Sequence, residues 1–194
     1  MLRRSFLLLP LTGLLACGQG RPPLADLQDR AVHEASGGTA VLRSLLGARA
    51  TVIITLDPEC PFSQAYTNVL DSLSRAFSPE GVAFIGLYPT TFIEADAAAR
   101  FAAEGHLDFA QVMDADCAVA GALQARVTPE AFVLDADGLL RYRGAIDDTA
   151  VRPGRKKPGP AQHHLAEALH ALIDQGRSTL EMKAVGCIVE CGTP

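Results

Sequence analysis

Thr51-Val-Ile-Ile-Thr-Leu-Asp-Pro-Glu-Cys-Pro-Phe-Ser63 begins as a strand and ends as the first turn of a helix. The run Thr51–Leu56 is continuously apolar or β-branched, the pattern of a strand covered on both faces of a sheet. Asp57-Pro58 stops it. From Pro61 onward Phe62, Ala65, Tyr66, Val69, Leu70, Leu73 and Phe77 recur at helical spacing, and Pro61 suits the first helical position, where no N–H is needed. Cys60 therefore sits where a buried strand turns into a helix. Unpaired backbone N–H groups and the positive end of the helix dipole face a sulfur placed there. Both favour thiolate over thiol, which makes Cys60 a usable nucleophile near neutral pH. Ser63, three residues on, is expected to donate a hydrogen bond to the same sulfur.

Outward from this junction, strands and helices alternate. A short helix is expected at Val41–Leu46, a strand at Val82–Tyr88, and an Ala-rich helix at Glu94–Glu104 closed by Gly105. Gln111–Met113 reads as a short strand and Cys117–Leu123 as a short helix. Glu130–Leu134 and Leu139–Arg143 form a hairpin across Asp135-Ala-Asp-Gly138. Gln162–Gln175 is an amphipathic helix. This order implies an α/β, three-layer sandwich with a mixed central sheet: parallel strands at its centre, antiparallel strands at its edge. The domain is expected over residues 37–176. Residues 17–36, dominated by Gly, Pro and charges, read as a tether, and residues 177–194 as a cysteine-containing tail without a clear element.

Of the 194 residues, Lys and Arg number 17 against 22 Asp and Glu, and the formal charge of -5 argues against nucleic-acid binding. The basic cluster Arg152–Lys157 is interleaved with Pro and Gly and reads as a solvated loop. Residues 1–16 read as an export signal: Met1-Leu-Arg-Arg4, then an apolar run too short to span a bilayer. Leu14-Leu-Ala-Cys17 resembles the lipobox of bacterial lipoproteins, which implies cleavage before Cys17, a lipid on Cys17 and membrane tethering on the periplasmic side. The twin arginines also resemble, more weakly, a twin-arginine signal. Export places Cys60, Cys117, Cys187 and Cys191 in a compartment that permits disulfides. Four cysteines allow three complete pairings, and an entirely structural pair of disulfides stays open.

A further motif, Val127-Thr128-Pro129-Glu130, precedes the hairpin, with Pro129 at a strand start, where it is sterically permitted. Together with Asp57–Ser63 and Tyr142-Arg-Gly-Ala-Ile-Asp-Asp148, it makes Val52–Asp148 resemble a redoxin of the alkyl hydroperoxide reductase and thiol-specific antioxidant superfamily, within the thioredoxin fold. The resemblance implies that Cys60 is the nucleophile, that Thr128-Pro129 is a cis pair packed beside the sulfur, and that the Thr128 backbone pairs with an extended substrate segment. Three positions depart from relatives of this fold. Ser63 stands where thioredoxins carry the second cysteine of C-x-x-C. Ile53 and Asp57 stand where peroxidatic members carry Pro and a hydroxyl residue. Ile54 replaces the buried acid of thioredoxins.

The expected activity is thus thiol–disulfide exchange through a Cys60 mixed disulfide with protein or small-molecule thiols and disulfides, without a bound cofactor. A thiol peroxidase and a non-catalytic metal- or partner-binding module are the alternatives. The Gly186-Cys187 pair near the end resembles the subgroup's C-terminus, which makes Cys187 a candidate to resolve Cys60. A structural Cys187–Cys191 or Cys117-linked disulfide stands equally open. A C-x-x-x-C pair with His163, His164 or His170 would be the metal reading. Cys117 itself is expected to be a buried helix-start cysteine.

Overall fold

The computed structural model describes residues 21–152, 154–159, 161–176 and 181–191. The signal segment and Cys17 lie outside them. In chain order the elements are β1 (Ala31–Glu34), β2 (Thr39–Val41), a 3-10 turn (Leu42–Leu45), β3 (Ala50–Thr55), α1 (Pro61–Phe77), β4 (Val82–Pro89) and α2 (Ala95–Glu104). They continue with β5 (Ala110–Asp114), α3 (Ala118–Leu123), β6 (Val127–Thr128), β7 (Glu130–Asp135), β8 (Leu140–Gly144), β9 (Ala150–Arg152), β10 (Arg155–Lys156), α4 (His164–Gln175) and β11 (Cys187–Ile188).

The central sheet has seven strands in the order β2-β1-β5-β4-β3-β7-β8. β3 and β4, and β4 and β5, pair in parallel, whereas β3–β7, β7–β8, β1–β5 and β1–β2 are antiparallel. The mixed sheet expected from the sequence is therefore present, with its parallel part at the centre. Because side chains alternate along a strand, the uniformly buried β3 feeds two cores. Val52 and Ile54 pack with Tyr66, Leu70 and Phe77 of α1, Ala98 and Phe101 of α2, and Leu165 and Leu169 of α4. Ile53 points to the opposite face and packs with Ile85, Val112, Phe132 and the α3 residues Val119 and Leu123. Helices on both faces complete the three layers.

The tether reading of residues 17–36 does not hold for the described part. β1 and β2 lengthen the sheet, and Leu24 and Leu42 are buried to 2% and 1% exposure on the α3 face. Burial of each removes enough apolar surface to contribute about 1.5–3 kcal/mol. The segment is read as polar because its apolar residues are isolated, each plugging one gap. The tail is also ordered into the fold: β11 pairs antiparallel with β6, matching Cys187 to Thr128 and Ile188 to Val127.

Candidate active site

Cys60 occupies the N-cap of α1, with extended backbone (φ -75°, ψ 117°) and Pro61 as the first helical residue. Its side chain is 2% exposed. The Thr128-Pro129 bond is cis, and as a thiol Cys60 Sγ donates to the Thr128 carbonyl at 3.1 Å. The strand-to-helix cysteine and the Thr-Pro pair, 68 positions apart, thus meet as the sequence resemblance implied.

Two groups that sequence reasoning passed over hold this meeting place. Thr55, the last residue of β3, donates its hydroxyl to Val127 O at 2.6 Å and accepts from Glu130 N–H at 2.9 Å. It spans the Thr-Pro pair like a strut. Glu130 accepts from Arg126 N–H at 2.8 Å and pairs with Arg143 at 3.4 Å, both charged side chains being nearly buried. The only available signal was a polar residue ending an apolar strand and an acid beginning another.

Ser63 is fully buried, but its hydroxyl is not arranged as expected. Its Oγ accepts from Asp57 N–H at 3.2 Å, which pins the turn before the cysteine. The residue's effect on the sulfur comes through its backbone N–H. That is the group a helix N-terminus offers for geometric reasons, whatever the side chain.

Cys187 and Cys60 are both free, whereas Cys117 and Cys191 form a disulfide with Cα atoms 5.7 Å apart. Cys117 stands at the start of α3 as expected, but it is half-buried rather than buried and forms half of a staple; of the pairings left open, this one fixes the tail. It ties Cys191 to the start of α3 and leaves Cys187, four residues earlier, opposite Thr128 and so beside Cys60. The tail reaches this position through close backbone approaches. A Cβ on Gly186 would stand 2.2 Å from Thr128 O, and one on Gly144 would meet Met182 O at 1.7 Å.

Charge is divided unequally between the two thiols. Burial acts to raise the Cys60 pKa, but the Cys187 thiol, Ser63 N–H, the Thr128 hydroxyl and Cys187 N–H together outweigh it, so the value falls below the ordinary one. Thr128 Oγ1 is buried and makes no hydrogen bond among the described residues, so its proton is free to turn to the Cys60 sulfur once that is ionised. Cys187 shifts the opposite way, to about 12, through burial first, then its bond to Cys60 and the charges of Cys60 and Asp57. Of the two sulfurs, Cys60 gives up its proton more readily and Cys187 holds its own. Such a pair is poised for nucleophilic attack by the first sulfur and proton loss from the second.

A buried cysteine at a strand-to-helix turn, facing a cis-proline loop on a thioredoxin-like sheet, is the arrangement of a redoxin. The chain belongs to the AhpC/TSA family, whose model matches residues 24–143, and its function is that of a thiol-based oxidoreductase. An uncharacterized conserved protein from Geobacillus kaustophilus is similar at 27% identity, over 82% of this chain and 86% of that one, with a TM-score of 0.71. A hypothetical protein from Sinorhizobium meliloti 1021 is similar at 20% identity over 87% and 93%, with a TM-score of 0.74. A secreted Mycobacterium tuberculosis disulfide oxidoreductase, homologous to E. coli DsbE, shares the fold at 21% identity over 76% and 99%, with a TM-score of 0.58. The comparison with curated proteins gives no match.

Proposed function

We propose that the protein is a two-cysteine thiol–disulfide oxidoreductase in which Cys60 is the nucleophile and Cys187 the resolving thiol. One observation carries the reading: Cys187 is free and sits directly opposite Thr128, whose carbonyl accepts from Cys60 Sγ, while its neighbour Cys191 is already bonded to Cys117. The Cys60 thiolate attacks one sulfur of a substrate disulfide, the S–S bond breaks, and the leaving thiolate takes up a proton. Cys187 then loses its proton and attacks Cys60 Sγ, expelling the second substrate thiol. The protein ends with a Cys60–Cys187 disulfide and the substrate with two thiols. Ser63 excludes a local disulfide, so resolution falls to the tail. Thr128 and cis-Pro129 position and stabilise the attacking sulfur.

The lipobox at Leu14–Cys17 supports attachment to the periplasmic side of the bacterial envelope through a lipid on Cys17. Substrates are then protein or small-molecule thiols and disulfides of that compartment, and no bound cofactor is invoked.

The test is turnover of a disulfide substrate by the full mature chain and by its Cys60→Ser and Cys187→Ser variants. Loss of reaction in the first, and a trapped Cys60 mixed disulfide in the second, is the expected pattern. Full activity of Cys187→Ser with no trapped intermediate would refute the resolving role. Consumption of hydrogen peroxide faster than of disulfides would make the protein a peroxidase instead.

A further inference from the structure

The thiol that faces solvent at this site is Cys187, not Cys60. A cleft of about 560 Å³ is lined by Cys187 and Thr128, while Cys60 lies behind them at 2% exposure. The volume is that of a small-molecule site. Its walls include Phe92, Ile93 and Ile188. Phe92 and Ile188, at 78% and 79% exposure, are far more exposed than any other large apolar side chain among the described residues. Four carboxylates, Asp57, Glu59, Glu94 and Glu190, line the same cleft with no basic residue among its lining. None of the four forms an ion pair among the described residues. Uncompensated charge of one sign in a cleft raises the local concentration of the opposite sign.

The strand edge at Val127–Thr128 is already taken by the chain's own tail. An extended polypeptide docks there only by displacing it. What the cleft admits without that displacement is a small molecule.

The geometry points to this cleft as the docking site of the electron donor, a small cationic thiol with an apolar body that attacks Cys187 in the oxidised protein. The assignment rests on the Cys60–Cys187 disulfide proposed above. The donor thiolate attacks Cys187 Sγ, the Cys60–Cys187 bond breaks, and Cys60 departs as its stabilised thiolate; a lower-pKa thiol leaves faster. A second donor thiol attacks the mixed disulfide on Cys187. The products are the donor disulfide, Cys187 as a thiol and Cys60 as a thiolate. Anionic thiols are disfavoured by the same carboxylates.

The experiment follows reduction of the oxidised full mature chain by cysteamine, 2-mercaptoethanol and 3-mercaptopropionate, with rates compared per thiolate. Cysteamine is expected to exceed 3-mercaptopropionate by on the order of tenfold. The gap should narrow in Glu94→Gln/Glu190→Gln and at about 1 M salt, where the screening length is about 3 Å. Equal rates for the three thiols, or a gap untouched by the two Gln replacements, would overturn the assignment. A second measurement reads the cleft without the disulfide: Cys187 labelling in Cys60→Ser by aminoethyl and sulfonatoethyl methanethiosulfonate. Preference for the cationic reagent supports the site; no preference refutes it. Failure to find a Cys60–Cys187 disulfide on oxidation refutes the catalytic reading instead, and the labelling still decides the cleft.

Discussion

Cys187 lies directly opposite Thr128 in the two-residue ladder between β11 and β6, and Thr128 is the residue whose carbonyl accepts from Cys60. The tail thus occupies the backbone edge that the sequence resemblance assigned to an extended substrate. Its own cysteine is delivered to the place a substrate sulfur would take. The chain is its own first occupant of the site.

Thiolate stabilisation at Cys60 has separable sources, so each can be removed. Cys187→Ala and Thr128→Val should each raise the apparent pKa of Cys60, since both delete groups that lower it. Alkylation rate against pH in the wild type should give a midpoint below the ordinary value of about 8.5. Below that midpoint the thiolate is lost and the rate falls; above it the rate is flat. A wild-type midpoint at or above the ordinary value would contradict the arrangement described.

Gly186→Ala should separate folding from resolution. The added Cβ has backbone, not a flexible side chain, as its obstacle at 2.2 Å, so β11 must shift. Formation of the Cys60–Cys187 bond should slow by about tenfold, equivalent to about 1.4 kcal/mol on the barrier. Cys60 alkylation should persist, and circular dichroism should be unchanged. Quenched-flow mass mapping of the disulfide checks it.

Ser63→Cys should place a second thiol on the first turn of α1, three residues from Cys60. Oxidation should then yield a local disulfide between Cys60 and the introduced thiol, in competition with Cys60–Cys187, read by peptide mapping. Because the Ser63 hydroxyl accepts from Asp57 N–H at 3.2 Å and sulfur accepts hydrogen bonds only weakly, the variant should also lose about 0.5–1.5 kcal/mol of stability.

Leu24→Ala tests whether the N-terminal segment belongs to the domain. Leu24 is 2% exposed and shares one core with Val119, Leu123 and Phe132. Truncation should cost about 2–5 kcal/mol in thermal or denaturant unfolding. A cost below about 0.5 kcal/mol is the surface-residue outcome and would return the segment to a tether.

The central sheet and the Cys60 junction were legible because long periodic patterns report them: β-branched continuity for β3, helical spacing for α1, a turn sequence for the β7–β8 hairpin. β1 and β2 were not, since Val32 and Ala40 are too few to set a period and their strand character comes from pairing with each other and with β5. β11 is only two residues long and exists through its ladder to β6. Thr55 and Glu130 were silent for a related reason. Their roles are defined by a loop that folds against them, not by their neighbours in sequence.

The Cys117–Cys191 disulfide has a kinetic consequence. Anchored four residues away, Cys187 meets Cys60 at an effective concentration that short tethers raise to about the millimolar range. Reducing that anchor leaves the end of the tail held by the two-residue β11–β6 ladder and a few backbone hydrogen bonds. Encounters between the two sulfurs then become rarer, and outside thiols gain the advantage in capturing the Cys60 mixed disulfide. The staple thus sets the molecularity of the reaction: with it closed, turnover is governed by the chain itself; with it open, by whatever thiol the surroundings supply.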